Sequence, residues 1–172
     1  MLRTPEASDY EAWADLRLAS RDFLVPWEPL WPSNDLARLS FRARVRRYWR
    51  DIEDDVAYPF FIFTADGRTF LGGLTLSNVR RGVAQIATLG YWIGAPFARQ
   101  GYMTGAMRLA LPFAFGHLQL HRVEAACLPD NHASIALLQR QGFAREGLAR
   151  RYLKINGQWQ DHLLFARLGD NR

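Results

Sequence analysis

The stretch that most limits the folds open to this chain runs from Ala87 to Met107. An apolar, strand-like segment, Ala87-Thr88-Leu89-Gly90-Tyr91-Trp92-Ile93, is followed by "ARQGYMTGAM" (98–107), which runs straight into a helical pattern. Gly101 opens that helix, and the first N–H groups of a helix have no internal partner. Those donors and the helix dipole favour a bound anion. Gly101 has no Cβ to hold a phosphate off the backbone, Thr104 offers a hydroxyl in the first turn, and Arg99 and Arg108 are placed to supply charge. The corner fits a diphosphate. The dinucleotide pattern G-x-G-x-x-G and the P-loop pattern are absent, and taken alone the segment fits a plain turn equally well.

The flanking sequence places this corner in a layered fold. Ser8-Asp9 ahead of Tyr10, Trp13, Leu16 and Leu18 predicts a capped amphipathic helix. "VPWEPLWPSND" (25–35) is too rich in proline to be helical. Asp35 then caps a second helix with Leu36, Leu39, Phe41, Val45 and Tyr48 as its apolar positions. "YPFFIFTA" and "TFLGGLTLSN" flank the hairpin dipeptide Asp66-Gly67, and a third strand covers roughly residues 83–93. The helix from Gly101 reaches Phe115 with a bend at Pro112. "HRVEAACL" is a strand, and Asn131 caps a helix ending at Gly142. Two last strands pair around Asn156-Gly157. The compact solution for this order is α/β: a mixed sheet with helices on both faces.

Length and composition narrow the class. At 172 residues the chain suits a single domain, residues 1–172. It has no apolar run long enough for a membrane helix and no signal peptide. The lone Cys127 has no intrachain partner, so a reducing, cytoplasmic setting is expected, with the thiol as core filler. The net charge is +5, and Lys154 is the only lysine. Arginine suits bidentate contact with phosphate or carboxylate. Its one cluster, residues 38–50, precedes the acidic run 51–55. It reads as a solvated helix face, or as a contact for RNA or an acidic peptide.

The succession "LGYWI", "ARQGYMTGA", "HRVEA" and "NHASIALLQRQGF" resembles the Gcn5-related N-acetyltransferase superfamily, and more closely its ribosomal-protein-alanine N-acetyltransferase branch. The likeness runs from "RTPEASDYEAWADLR" through "PWEPLWP" to "INGQWQDHLLFARL". Its most specific parts are the spacing Asn131…Ser134…Leu138…Gly142-Phe143 and the "NGQWQDH" ending. The resemblance implies the acyl-CoA N-acyltransferase fold: a mostly antiparallel sheet of about six or seven strands, splayed at the middle, with about four helices over both faces. It implies acetyl-CoA as co-substrate, with no metal. The pyrophosphate loop falls on Ala98, Arg99, Gln100, Gly101, Tyr102 and Met103, with Thr104 beside it. The pantetheine-pairing strand end falls on Tyr91, Trp92 and Ile93. Asn131 matches a cofactor-side and catalytic position, with Ser134 one turn on. The superfamily begins with a strand before its first helix, for which residues 1–4 are all that precede, so that strand is expected to be very short or cut off.

The family's acid/base pair does not carry over, because Ala126 and Leu138 stand at the matching positions. Ser134 is then the candidate for protonating the departing sulfur, or else an ordinary capping serine. Glu124 is a candidate base through water, or a surface carboxylate. His132, His162 and Tyr152 remain open as relays. A missing base favours an acceptor of low pKa: at pH 7 an α-amine is about 14% neutral and a lysine about 0.04%, a ratio of about 350. Trp27, Glu28 and Trp31 are expected to wall the acceptor groove, with Glu28 holding a cationic amine. The expected acceptor is the N-terminal α-amine of a protein, ribosomal by the resemblance, with nucleic acid met only through the ribosome and no membrane partner. Two alternatives stand: an acetyltransferase for a small amine (antibiotic, polyamine or amino acid), or a non-catalytic module binding acyl-CoA or RNA.

Overall fold

A computed structural model describes residues 1–169. Strands are β1 Leu2–Arg3, β2 Tyr58–Phe63, β3 Phe70–Arg80, β4 Ile86–Ile93, β5 Arg122–Cys127, β6 Ala144–Ile155 and β7 Gln158–Leu168. Helices are α1 Tyr10–Ala19, α2 Arg21–Leu24, α3 Arg38–Glu53, α4 Tyr102–Pro112 and α5 His132–Arg140. The sheet runs β1-β2-β3-β4-β5-β7-β6, antiparallel except for the parallel pair β4–β5. The expected first strand exists as two residues, Leu2 and Arg3, paired with Ile62 and Phe61. No helix among the described residues is long and apolar enough to cross a membrane.

Period-two alternation splits the core between the two faces of the sheet. Ile62, Leu74, Leu76, Leu89, Val123, Ala125 and Phe165 turn to one face, beneath Met107 and Leu111 of α4 and Leu138 of α5. Phe61, Phe63 and Phe70 turn to the other, where Trp13 of α1 and Phe41 and Val45 of α3 cover them. Trp13 and Phe41 lie 4.8 Å apart, ring to ring, and each stabilises the fold by about 1.5–3 kcal/mol through burial.

Several local expectations need correction. Leu18 and Leu39 are 60% and 78% exposed. The inner face of α1 follows i, i+3, i+4, i+7 from Tyr10 through Trp13 and Ala14, and so brings Arg17 inside instead. Leu39 stands two residues, or about 200°, from Phe41 on α3. Asp35 does not cap α3. Ala37 holds the N-cap position, and the Asp35 carboxylate turns to Arg44. The third strand starts at Ile86 rather than near 83, since Gly82 and Gln85 have positive φ and leave Val83 fully exposed. Pro112 behaves as expected: α4 gives way there to a π-helical turn over Phe113–His117.

The sheet opens in the middle. β4 and β5 pair only at Ile86↔Arg122, Ala87↔Val123 and Thr88↔Glu124, after which β4 continues along β3 alone. Gly94 N–H donates to the Leu71 carbonyl at 2.8 Å. Strand alternation therefore turns the polar groups of Trp92 and Gly90 toward β3 as well, and those of Tyr91 and Ile93 toward the gap. Gly72 allows the close approach on the β3 side: a Cβ there would overlap the Trp92 carbonyl and sit 2.9 Å from Ile93 Cα.

Candidate active site

The corner beyond β4 is built to leave amides bare. Arg99 (φ 61°) and Gly101 (φ 82°) both take left-handed backbone, a geometry that gathers N–H groups into an anion-binding concavity. The Gly105 N–H donates to the Gly101 carbonyl at 3.0 Å. This is the first bond of α4, so the amides of Gly101, Tyr102, Met103 and Thr104 have no helical acceptor, and no side chain among the described residues caps them. A Cβ at Gly101 would meet nothing within 4 Å, so the approach is open. Met103 anchors the turn in the core, Tyr102 meets Phe97 edge to face at 6.2 Å, and Gln100 Nε2 donates to the Pro96 carbonyl at 2.7 Å. Ala98 ends the preceding 3-10 turn. Arg99 and Arg108 are exposed and have no acidic partner among the described residues, so their charge is uncompensated. With the free edge of Tyr91 and Ile93 alongside, the corner fits a diphosphate carrying an amide-bearing arm.

The N-terminus of α5 faces the same gap. Asn131 Oδ1 accepts from the Ser134 N–H at 3.0 Å, capping the helix, while the Asn131 N–H goes to the Leu128 carbonyl. The Ser134 side chain therefore takes no part in a capping box. Its hydroxyl lies 2.6 Å from the Tyr91 hydroxyl instead, spanning the opening between β4 and α5. Burial pushes the Tyr91 phenol well above its ordinary value, so it stays protonated and able to donate. Burial likewise raises the Cys127 thiol, which suits a filler rather than a nucleophile. Sequence reasoning gave Tyr91 a backbone role only. The strand's parity already placed its ring on the side of α5.

The residues expected to serve the acceptor lie on the opposite sheet face. Glu124 lies at the closed end of the gap, opposite Thr88, and Arg122 holds its carboxylate at 2.8 Å. Arg122 also pairs with Glu146. The structure does not leave Glu28 free to hold an amine. Arg17 grips it bidentately at 2.7 and 2.8 Å, and Trp31 Nε1 donates to it at 2.7 Å. Arg17 is only 6% exposed and sits between the Trp31 ring (4.0 Å) and the Trp92 ring (4.9 Å), with Asp35 at 3.9 Å. Trp31 and Trp92 thus meet through Arg17, whereas Trp27 lies at the exposed edge of the loop. The Glu28 carbonyl accepts from the Asn156 N–H at 2.8 Å, joining this loop to the β6–β7 turn. His162 is buried with Nδ1 on the Gln160 carbonyl at 3.0 Å; it shares its face with Leu164, the partner of Ala126. Arg17 was missed in the sequence, although a charge four residues after Trp13 on an inward face was the available signal.

Comparison with known proteins agrees with this geometry. The family model "Acetyltransferase (GNAT) domain" matches residues 1–144. A probable N-acetyltransferase of Bacillus subtilis, YjcK, is 36% identical over 165 residues, covering 96% of this chain and 91% of that protein. The [ribosomal protein uS5]-alanine N-acetyltransferase of Escherichia coli is 36% identical over 160 residues, covering 92% and 82%. The solved structure of Mycobacterium smegmatis RimJ in complex with CoA-disulfide superposes with a TM-score of 0.91 at 36% identity, over 97% of this chain and 80% of that one. With a sheet parted after three parallel pairs and a bare helix start beside the parting, the chain belongs to the GNAT acetyltransferase family and is an N-acetyltransferase that draws its acetyl group from acetyl-CoA.

Proposed function

We propose that this enzyme acetylates the N-terminal α-amine of a protein, with a ribosomal protein as the acceptor. One observation carries the choice of acceptor: Glu124, Glu28 and Asp35, the carboxylates of the acceptor side, each face an arginine, and Ala126 replaces the family's strand base. An acceptor already neutral in useful amount at pH 7 is what such a site can use, and the α-amine exceeds lysine by about 350-fold in that respect. The similarity to the uS5-alanine enzyme supports the same reading.

The amides of Gly101 to Thr104, with Ala98, Arg99 and Gln100 shaping the turn, would hold the diphosphate, and the free edge at Tyr91 and Ile93, beside Trp92, would hold the arm. Bound there, acetyl-CoA supplies an activated acyl carbonyl to a neutral amine. The Ile93 N–H, turned into the gap, is the oxyanion donor. Ser134 Oγ holds the proton for the departing sulfur and the Tyr91 hydroxyl at 2.6 Å orients it; the proton that the amine loses on forming the amide restores Ser134, so neither hydroxyl is left ionised. Asn131 fixes the start of α5 beneath them. Trp31 and Trp92, clamped by Arg17, form the wall against which the incoming N-terminus rests.

A thiol-release assay with a peptide beginning in alanine, a lysine peptide blocked at its N-terminus, and free polyamines tests the acceptor. The alanine peptide is expected to turn over fastest by about two orders of magnitude at pH 7; faster turnover of either other amine would overturn the reading. Ser134→Ala is expected to lower kcat by about 10²-fold and leave the peptide KM nearly unchanged. A rise in KM at constant kcat would make Ser134 a structural residue.

A further inference from the structure

The exposed face of α3 carries Arg42, Arg46 and Arg50 at successive i, i+4 positions, with Arg47 on the flank. None of the four makes an ion pair among the described residues, even though Asp51, Glu53 and Asp54 lie within reach in sequence. Arg3, Arg17, Arg38, Arg44, Arg81 and Arg122 hold carboxylates, whereas these four, like Arg99 and Arg108 at the corner beyond β4, do not. Like charges at i, i+4 destabilise a helix by about 0.2–0.5 kcal/mol per pair. The ladder therefore costs stability, and the helix dipole, acting on Arg50 in the last turn of α3, offsets only part of that cost.

We propose that this face of α3 is a docking surface for the phosphate backbone of RNA. Successive guanidinium groups rise about 6 Å along the helix, giving a row of planar forks suited to bidentate phosphate contact. Arg47 and Arg50 also line a groove with Pro32, Asn34, Ser40, Ala43 and the paired Asp35 and Arg44, which widens the contact beyond one row and leaves Arg47 and Arg50 as its unpaired charges. Trp49, 47% exposed on the flank of the row, offers a ring for stacking. Protein interfaces deplete charge at their centres, whereas charge is the centre of this face. α3 follows directly on the loop that walls the acceptor side, so RNA held here would lie near the incoming N-terminus. The inference extends the ribosomal reading without depending on it, since RNA binding is measured without acetylation.

Fluorescence anisotropy of a short labelled RNA hairpin against the intact enzyme tests the surface. Binding is expected to weaken steeply between about 50 and 200 mM salt. The variant Arg42→Gln/Arg46→Gln/Arg47→Gln/Arg50→Gln should flatten the log–log salt slope by about 3, at roughly 0.7–0.9 per lost phosphate contact. Acetylation of a free alanine peptide should remain at the wild-type rate. A charge-matched control, Arg68→Gln/Arg140→Gln/Arg145→Gln/Arg150→Gln, should keep most of the wild-type slope. Equal slopes for the two variants would overturn the proposal, as would tighter binding of a labelled poly-glutamate peptide than of RNA.

Discussion

Gly101→Glu is expected to weaken CoA binding at least about a thousandfold while the protein stays folded. The two halves of that expectation have separate causes. Gly101 holds φ at +82°, and a Cβ there meets nothing within 4 Å, so the substitution brings left-handed strain of about 1–2 kcal/mol and no collision. The added carboxylate, however, stands at the mouth of the amides of Gly101 to Thr104. Roughly 4 Å from a phosphate charge, at the effective dielectric of a protein surface, it opposes binding by about 4 kcal/mol, and it can occupy the amides itself. Gly101→Ala shares the strain without the charge, so it should lower the urea midpoint by a similar amount and change CoA affinity little. Calorimetric titration of the two variants separates backbone geometry from charge. An unchanged affinity in Gly101→Glu would remove the corner from the cofactor site.

Arg17→Ala is expected to have the largest effect on stability, about 3–5 kcal/mol. Its guanidinium is nearly enclosed, neutralises Glu28 at 2.7 Å, and lies between the Trp31 and Trp92 rings. Truncation strands the Glu28 carboxylate and leaves Asp35 with Arg44 alone, while the two tryptophans lose the plane that joins them. Against a total stability of about 5–15 kcal/mol such a loss brings the enzyme close to unfolding at room temperature. Because the loop is tied to the β6–β7 turn through the Glu28 carbonyl, whatever remains folded should show a raised peptide KM. The double variant Arg17→Met/Glu28→Gln should recover much of the loss, since it leaves no unpaired charge at Glu28 and keeps the Trp31 donor satisfied. Urea unfolding of the three proteins checks this, and a loss below about 1 kcal/mol for Arg17→Ala would contradict it.

The parts of the molecule that were legible in the sequence are those fixed by short-range chemistry. Asn156-Gly157 closes its hairpin with both residues at positive φ, Asn131 caps α5, and Pro112 ends the regular part of α4. Each signal resides in one or two residues whose backbone or side chain permits little else. The family resemblance added the opening of the sheet, which no local pattern specifies because it depends on where β5 stops pairing with β4. Side-chain partners 11 or more residues apart stayed hidden. Glu28 looked available because nothing in "PWEPLWP" shows that Arg17 turns inward. Ser134 stayed open between proton donor and ordinary capping residue because Tyr91, 43 positions earlier, approaches it only across the gap. Asp35 was read as a cap from its place before an apolar period, yet a buried arginine and a nearby Arg44 outweighed two backbone N–H groups.

The central claim is that amides left unpaired where β4 gives way to α4 grip the diphosphate and so aim the acetyl group across the parted strands. A crystal structure of the enzyme with coenzyme A measures this directly. The account predicts diphosphate oxygens within hydrogen-bonding distance of the N–H groups of Gly101 to Thr104, and the arm lying along Tyr91 and Ile93. A diphosphate bound elsewhere, with those amides facing only water, would contradict it.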